Sequence, residues 1–161
     1  MTASILSACR KRILLVDDES AFLESLSEGL ELSDEEFEVS TAPDGRKALE
    51  AFRSGRRIDL LVTDLTMPEM DGFELLANIR RDYPCTKAIL MTAILTDEVR
   101  QRLEAIGNYS CIEKPVGLDE LKLMIKGELD FPLAAGGGPS GQDASAGAEG
   151  EFFNPGAGLF N

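Results

Sequence analysis

Histidine is absent from this sequence of 161 residues. Its absence excludes zinc sites with histidine ligands, a histidine general base and a phosphorylatable histidine, so any chemistry must use carboxylates, hydroxyls and lysine. Cysteine is scarce: Cys9, Cys85 and Cys111 are odd in number and far apart, which gives neither a disulfide framework nor a metal-binding pattern. Isolated thiols are typical of a reducing compartment, so we expect a cytoplasmic location.

Basic residues are also few, since 16 of them stand against 29 acids and give a formal net charge of -13 at pH 7. Such a surface repels phosphate backbones and anionic lipids, so we expect neither nucleic acid nor a membrane as a direct partner. No apolar run approaches the ~20 residues that a membrane-spanning helix needs. The hydrophobic fraction of 43% is enough to build a core, and the length suits one ordinary domain with a short addition.

The central feature of the chain is the stretch from Ile58 to Gly72. A short apolar run within it ends at Asp64 and is followed by a proline that stops a strand. The run is too short for a helix and too apolar for a loop, so it predicts a buried parallel strand with Asp64 at its carboxyl end. Asp71, with Glu74 three residues later, has the spacing of a helix cap.

Apolar segments and amphipathic segments alternate along the rest of the chain. The predicted strands are 13–16, 37–42, a central strand from 58, 87–91 and 110–113, the last predicted mainly from its place in the order. The predicted helices run from 22 to about 33, 48 to about 55, 72–81, 97 to about 106, and 118 to about 129. Alternating strands and helices need crossover connections, which predicts an α/β fold: a doubly wound, five-stranded parallel sheet with helices on both faces.

Polar residues stand at the carboxyl ends of these strands, where ligands bind in such sheets. They are Asp17, Asp18, Asp64, Thr92 and Lys114. Three crowded carboxylates repel one another, at roughly 3 kcal/mol per pair for ~5 Å and an effective dielectric constant of ~20. A hard divalent cation would compensate, and Mg2+ suits oxygen ligands that must leave room for a phosphoryl oxygen. Together with a lysine and a hydroxyl, these groups predict a phosphoryl-transfer site.

Each of these residues also has an ordinary structural explanation. Acids at strand ends often only cap helices, an alternative that stays open above all for Asp17 and Glu19. The hydroxyl of Thr92 could bond only to backbone, and Lys114 could be a solvated surface lysine. Their joint placement at one edge of the predicted sheet favours a common site.

Four segments resemble the signatures of the response-regulator receiver domain of two-component signalling, in the family's order and spacing. They are Leu15-Val16-Asp17-Asp18-Glu19, Thr63 to Gly72, Met91-Thr92-Ala93 and Glu113-Lys114-Pro115. Any one of them would be weak alone, but the four together are highly specific, and the resemblance covers about Lys11 to Asp130. It implies a flavodoxin-like strand order of 2-1-3-4-5 and a switch that catalyses only its own phosphorylation and dephosphorylation.

The resemblance also implies a role for each matching residue. Asp64 is expected to be the phosphoacceptor, attacking the phosphorus of a phosphohistidine on a partner protein. Lys114 is expected to pair first with Asp64 and then with the phosphoryl group, toward which Thr92 would swing. A cis peptide is expected between Lys114 and Pro115. The expected ligands of Mg2+ are Asp18, Asp64, Asp17 largely through water, and the backbone carbonyl of Thr66.

One position departs from the family pattern. Cys111 stands three residues before the lysine, where the family usually has tyrosine or phenylalanine, so the aromatic side chain that normally turns inward with the threonine is missing. Tyr109 lies two positions earlier and would face the same side of a strand that extends that far. We therefore expect either that Tyr109 substitutes in part or that the signal leaves through the fourth helix.

The sequence divides into four parts: a leader (1–10), a receiver domain (11–130), a linker (131–151) and an apolar C-terminal segment (152–161). Residues 134–151 are mostly Gly, Ala, Ser and Pro, which predicts a flexible tether of roughly 20 to 25 Å. The last segment contains three phenylalanines and a leucine. It is either an inert end or a short docking motif for a partner or for the receiver's own surface.

These features indicate a stand-alone, single-domain receiver, phosphorylated by a sensor histidine kinase or a histidine phosphotransfer protein. It would act on an unknown output protein or pass the phosphoryl group on, and phosphorylation could drive homodimerisation. Two alternatives stay open. One is a pseudo-receiver, a constitutive interaction module that keeps the fold without being phosphorylated. The other is a magnesium-dependent phosphatase with an aspartyl nucleophile, which would need an acid two residues after Asp64, where this chain has Thr66.

Overall fold

The computed structural model describes residues 10–34 and 36–130, so residues 1–9 of the expected leader, the linker and the apolar C-terminal segment lie outside the described residues. Within the described ranges the chain forms five strands alternating with five helices. The strands are β1 (Lys11–Val16), β2 (Phe37–Ala42), β3 (Leu60–Asp64), β4 (Lys87–Thr92) and β5 (Ser110–Glu113). The helices are α1 (Ser20–Ser33), α2 (Gly45–Arg53), α3 (Gly72–Asp82), α4 (Asp97–Ile106) and α5 (Leu118–Asp130).

All five strands pair in parallel, in the order β2-β1-β3-β4-β5. The predicted doubly wound, flavodoxin-like sheet is therefore confirmed. The chain winds in opposite directions on either side of the β1–β3 pair, and ligands of such sheets bind beyond the carboxyl ends of the strands at this point. Because Val16 pairs with Thr63 in the register, the residues that follow them, Asp17 and Asp64, reach the same edge at the same level.

Helices cover both faces of the sheet, and β3 is buried along its whole length. Successive strand residues point to opposite faces, so the central strands supply two hydrophobic clusters. Leu14 and Val16 pack with side chains of α2, α3 and α4, whereas Ile13 and Leu15 pack with those of α1 and α5. Of the helices in the described part of the chain, none combines the length and the apolar composition of a membrane span.

Three helices begin at a polar cap residue. The side chains of Asp44, Asp71 and Thr96 each accept a hydrogen bond from the backbone N–H three positions on. The predicted cap at Asp71 is confirmed, and each such cap stabilises its helix by about 1 kcal/mol. The backbone N–H of Gly72 donates to the carbonyl of Leu65 at 2.8 Å, which ties the start of α3 to the carboxyl edge of the sheet.

Several predicted boundaries are wrong by two or three residues, among them the start of β1, at Lys11 instead of residue 13, and the start of α1, at Ser20 instead of residue 22. The central strand begins at Leu60 instead of residue 58, because the side chain of Asp59, at 2.8 Å, takes the backbone N–H of Arg12 that a longer strand would pair. The second helix begins at Gly45, three residues earlier than its apolar pattern shows, because Asp44 caps it. This helix ends before Gly55, whose positive φ of 85° suits a residue without a Cβ.

Candidate functional site

Three carboxylates meet at the carboxyl edge of the sheet. Asp17 follows β1 directly, Asp18 comes next, and Asp64 is the last residue of β3. One carboxylate oxygen from each lies within 4.8 Å of the others. Asp17 and Asp64 are buried, with 1% and 7% of their surface exposed, whereas Asp18 is exposed. The cluster is therefore embedded in the fold on one side and accessible from solvent on the other.

A lysine bridges two of these carboxylates. The Nζ atom of Lys114 lies 2.8 Å from Oδ2 of Asp17 and 3.1 Å from Oδ1 of Asp64. Its backbone N–H donates to the carbonyl of Thr92 at 2.7 Å, which fixes the loop after β5 to the end of β4. The Lys114-Pro115 peptide is cis, as the resemblance implied. The pairing with Asp64 was expected, and the structure adds a shorter contact with Asp17.

The charges of the cluster shift one another's protonation. Burial raises the pKa of Asp64 above its ordinary value; Lys114 opposes this rise, and the negative charges of Asp17 and Asp18 add to it. Burial by itself would lower the pKa of Lys114, but its hydrogen bonds to Asp17 and Asp64 outweigh that effect and raise it. Three carboxylates thus face one ammonium group. An all-oxygen donor set with excess negative charge fits a hard divalent cation such as Mg2+.

The sequence left open whether Asp17 supports a helix start or belongs to the carboxylate site, and in the structure it does both. Its Oδ1 atom accepts a hydrogen bond from the backbone N–H of Glu19 at 2.9 Å, the contact of a residue that supports a helix start. Its Oδ2 atom accepts from Lys114 within the cluster. Glu19 stands at the amino end of α1 but makes no capping hydrogen bond with its own side chain. Asp17 therefore joins the start of α1 to the carboxylate cluster.

The two threonines of the expected site lie at its margin. Thr92 ends β4 and is 4% exposed; its hydroxyl donates to the carbonyl of Ile94 at 3.1 Å and accepts from the N–H of Ile94 at 3.3 Å. Thr66 is exposed in the loop after β3. In this structure the Thr92 hydroxyl is thus engaged with its own loop. Four of the predicted site residues therefore lie together. The carboxylates of Asp17, Asp18 and Asp64 are within 4.8 Å of one another, and Lys114 contacts two of them.

Sequence reasoning missed one aromatic neighbour of the lysine. The ring centroid of Phe22 lies 4.9 Å from Nζ of Lys114, a distance at which a ring face attracts a cation. Phe22 is in the first turn of α1, where the sequence assigned it only to the apolar face of a helix. Its position could have predicted this contact with Lys114, because Phe22 lies four residues after Asp18 in the helix that starts at the carboxyl edge.

Tyr109 and Cys111 lie on the same side of β5. Both side chains are partly buried and pack against the hydrophobic cluster formed by α2, α3 and α4, although β5 begins one residue after Tyr109. Burial raises the pKa of both groups. The hydroxyl of Tyr109 is buried without a hydrogen-bond partner among the described residues. The expected facing of Tyr109 is confirmed, and its role in signalling stays a prediction.

The fold and the cluster together define the class: an α/β domain with a cluster of three carboxylates and a lysine at the carboxyl edge of its sheet, where ligands of such sheets bind. Residues 13–126 match the family described as response regulator receiver domain. The chain belongs to that family, the receiver domains of response regulators.

Similar proteins agree with this assignment. The chain is 39% identical over 122 residues to the regulatory protein AtoC of Escherichia coli (strain K12), a match covering 74% of this chain and 25% of AtoC. The solved chemotaxis protein CheY4 of Vibrio cholerae is 30% identical with a TM-score of 0.69, covering 74% of this chain and 99% of CheY4. A CheY-like receiver domain protein of Methanospirillum hungatei JF-1 is 33% identical with a TM-score of 0.69, covering 75% and 94%. The chain thus spans about a quarter of the length of AtoC.

Proposed function

We propose that the chain is switched by phosphorylation of Asp64. The observation that carries this proposal is the Lys114 ammonium held between the carboxylates of Asp17 and Asp64, in a cluster with Asp18. A lysine so placed balances the acceptor's charge before transfer and, as a mobile point charge, can follow the phosphoryl oxygens afterwards. Since the sequence in hand has no histidine, the phosphohistidine donor lies outside it, and we propose a sensor histidine kinase or a histidine phosphotransfer protein as the donor.

In the transfer step, a carboxylate oxygen of Asp64 attacks the phosphorus of the phosphohistidine. A P–O bond forms as the P–N bond breaks, and the electron pair of the P–N bond leaves with the imidazole nitrogen. The products are an acyl phosphate on Asp64 and a free histidine on the donor. Lys114 stabilises the negative charge on the transferred group. The hydroxyl of Thr92 must leave Ile94 to donate to a phosphoryl oxygen.

The cofactor in this proposal is Mg2+, held by Asp17, Asp18, Asp64 and the backbone carbonyl of Thr66. The donor set, three carboxylates and a carbonyl, has the chemistry that Mg2+ prefers. Bound Mg2+ would supply positive charge to the phosphoryl oxygens during transfer. Both oxygens of Asp17 are already engaged, one with Glu19 and the other with Lys114, which supports a water-mediated contact of Asp17 with the ion.

The rest of the proposal concerns the whole protein. The receiver domain is assigned to residues 11–130, and the family match over 13–126 supports its core. Output passes through contact with another protein or through onward phosphotransfer, and the chain's catalysis is limited to its own phosphorylation and dephosphorylation. A constitutive pseudo-receiver would not need an intact cluster of carboxylates with a bridging lysine, so we do not propose that alternative.

Phosphoramidate provides a direct test, because its P–N bond imitates phosphohistidine. With Mg2+, the wild-type protein should gain one phosphoryl group by intact-mass spectrometry, and hydroxylamine, which cleaves acyl phosphates, should remove it. Asp64→Asn should gain none. Asp71→Asn is the matched control, since Asp71 is a helix cap and should leave phosphorylation intact. Equal phosphorylation of Asp64→Asn, or a wild-type protein that stays unmodified, would refute the proposal.

A further inference from the structure

A cleft of about 620 Å3 opens at the amino-terminal end of the sheet, at the end opposite the carboxylate cluster. The first residues of β1 and β4 line it, together with the loops that follow α2 and α3 and the end of α5. None of the residues proposed for phosphotransfer contributes to it. The proposed phosphorylation therefore leaves this cleft without a role.

The cleft is basic although the chain as a whole is acidic, with a net charge of -13. One acid, Asp59, occurs among its lining residues, and both of its oxygens are engaged. Its Oδ1 atom accepts from Nε of Arg57 at 2.7 Å, and its Oδ2 atom accepts from the backbone N–H of Arg12 at 2.8 Å. This end of the sheet therefore attracts negative charge. The four bases in the lining are Lys11, Arg56, Arg57 and Lys87.

The same cleft also presents apolar surface. The rings of Phe52 and Tyr83 contact each other with their centroids 4.9 Å apart. Tyr83, Ile58 and Leu129 are all partly exposed along the cleft wall. Aromatic and aliphatic surface next to exposed Lys11 and Arg56 suits a peptide in which acids stand beside large apolar side chains.

Residues 149–153 of the chain itself have this composition. Residues 131–161 include three acids and neither lysine nor arginine, and Glu149 and Glu151 directly precede Phe152 and Phe153. The path is short, because Leu129, next to the last described residue, already lines the cleft. For a flexible chain of the 18 residues 131–148 the root-mean-square span would be about 23 Å, which corresponds to an effective concentration on the order of millimolar.

We propose that the segment from Glu149 to Phe153 docks in this cleft of its own chain. Its two glutamates pair with Lys11 and Arg56, and its two phenylalanines pack against the apolar wall. The docking is intramolecular and independent of the phosphorylation of Asp64.

The test compares amide NMR spectra of the full chain with those of its Phe152→Ser/Phe153→Ser variant. The signals of Gly55, Arg57 and Thr86 at the cleft should shift, the signal of Asp18 should not, and a tenfold dilution should change neither spectrum. Unshifted cleft signals would overturn the proposal. Wild-type cleft signals that move on dilution would show docking between two copies and would overturn it equally.

Charge exchange supplies a second, independent test. Lys11→Glu/Arg56→Glu should give the same cleft shifts as the phenylalanine variant, and adding Glu149→Lys/Glu151→Lys should return the signals toward wild type. Arg100→Glu, at an exposed position on α4, is the control for a lost basic charge and should leave the cleft signals unchanged. A quadruple variant that stays shifted as far as the double variant would overturn the assigned charge pairing and with it the proposal.

Discussion

The carboxylate of Asp64 is held where its negative charge is unfavourable. Burial and the neighbouring carboxylates of Asp17 and Asp18 raise its pKa, and Lys114 offsets only part of this rise. In the unfolded chain the same carboxyl group has its ordinary pKa, near 3.8. Folding therefore favours the protonated form, and the ionised Asp64 destabilises the folded state at every pH above its folded pKa.

Asp64→Asn should for this reason stabilise the protein in the absence of Mg2+. We expect the free energy of unfolding at pH 7 to rise by about 1 kcal/mol, a usual gain when a functional group with unfavourable surroundings is replaced. The gain should shrink as the pH falls through the pKa of folded Asp64 and be lost below 3.8, where both states bind the proton. Urea unfolding from pH 3 to pH 8 measures it. A variant less stable than wild type at pH 7 would show that the Lys114 contact outweighs the burial of charge.

Tyr109→Phe should also stabilise the protein, because the tyrosine hydroxyl is buried without a hydrogen-bond partner among the described residues. Removing an unsatisfied buried polar atom while keeping the ring is expected to raise the free energy of unfolding by about 1 kcal/mol. Chemical denaturation of the two proteins checks this. A loss of stability would mean that the hydroxyl has a partner in the folded protein.

The predictable part of the site consists of residues whose position follows from a strand end. Asp17, Asp64 and Lys114 each come at or directly after the end of a strand, so parallel topology alone places them at one edge. The contact of Phe22 with Lys114 could not be predicted in this way, because it depends on the rotamers of two long side chains. The bond between Thr92 and Ile94 likewise depends on the path of a loop.

Helix α3 approaches the end of β3 so closely that its first residue has no room for a side chain. A Cβ added at Gly72 would lie 2.6 Å from the carbonyl oxygen of Asp64 and 2.7 Å from Cδ1 of Leu90. The sequence shows Asp71-Gly72 as a helix start, but not this closeness, since Leu90 belongs to a strand that follows α3 in the chain. The glycine therefore holds α3 against the backbone of the proposed phosphoacceptor.

Gly72→Ala and Gly127→Ala form a matched pair that tests this packing. Gly72→Ala should lower the free energy of unfolding by about 2 kcal/mol, the usual size of an overpacking effect, and should also impair phosphorylation of Asp64. Gly127 is inside α5 with no atom near enough to clash, so Gly127→Ala should raise stability by about 0.5 to 1 kcal/mol through helix propensity. Denaturation of both variants measures the difference, and a Gly72→Ala protein as stable as wild type would contradict the close approach.

The helices and strands could be predicted from the sequence where the spacing of apolar residues distinguishes a helix from a strand. The five strands and five helices of the described part of the chain occur in the predicted order, including the short β5. The start of β3 was missed because the side chain of Asp59 replaces a backbone partner of Arg12, which no apolar pattern records. The alternation of strands and helices along the chain predicts a parallel sheet but does not tell which strands are neighbours. The strand order was therefore predicted from the resemblance of the four signatures to the receiver family.

The whole molecule has opposite charges at the two ends of its sheet. The carboxyl end carries the cluster of Asp17, Asp18 and Asp64, and the amino end carries the basic cleft. We propose the first end as the site of a cation and a phosphoryl group, and the second as the docking site of an acidic segment. Sequence reasoning found the carboxylate cluster because its residues follow strand ends. It missed the basic cleft because the four bases of the cleft come from three separate segments of the chain.

Beryllofluoride binding tests the central claim most directly, because this anion imitates a phosphoryl group on an aspartate. With Mg2+ present, wild-type protein should show a saturable thermal shift and new NMR signals at Thr92 and Lys114. Asp64→Asn should show neither, and Asp71→Asn should respond like wild type. A wild-type protein that does not respond, or an Asp64→Asn variant that responds equally, would contradict the assignment of Asp64 as the phosphoacceptor.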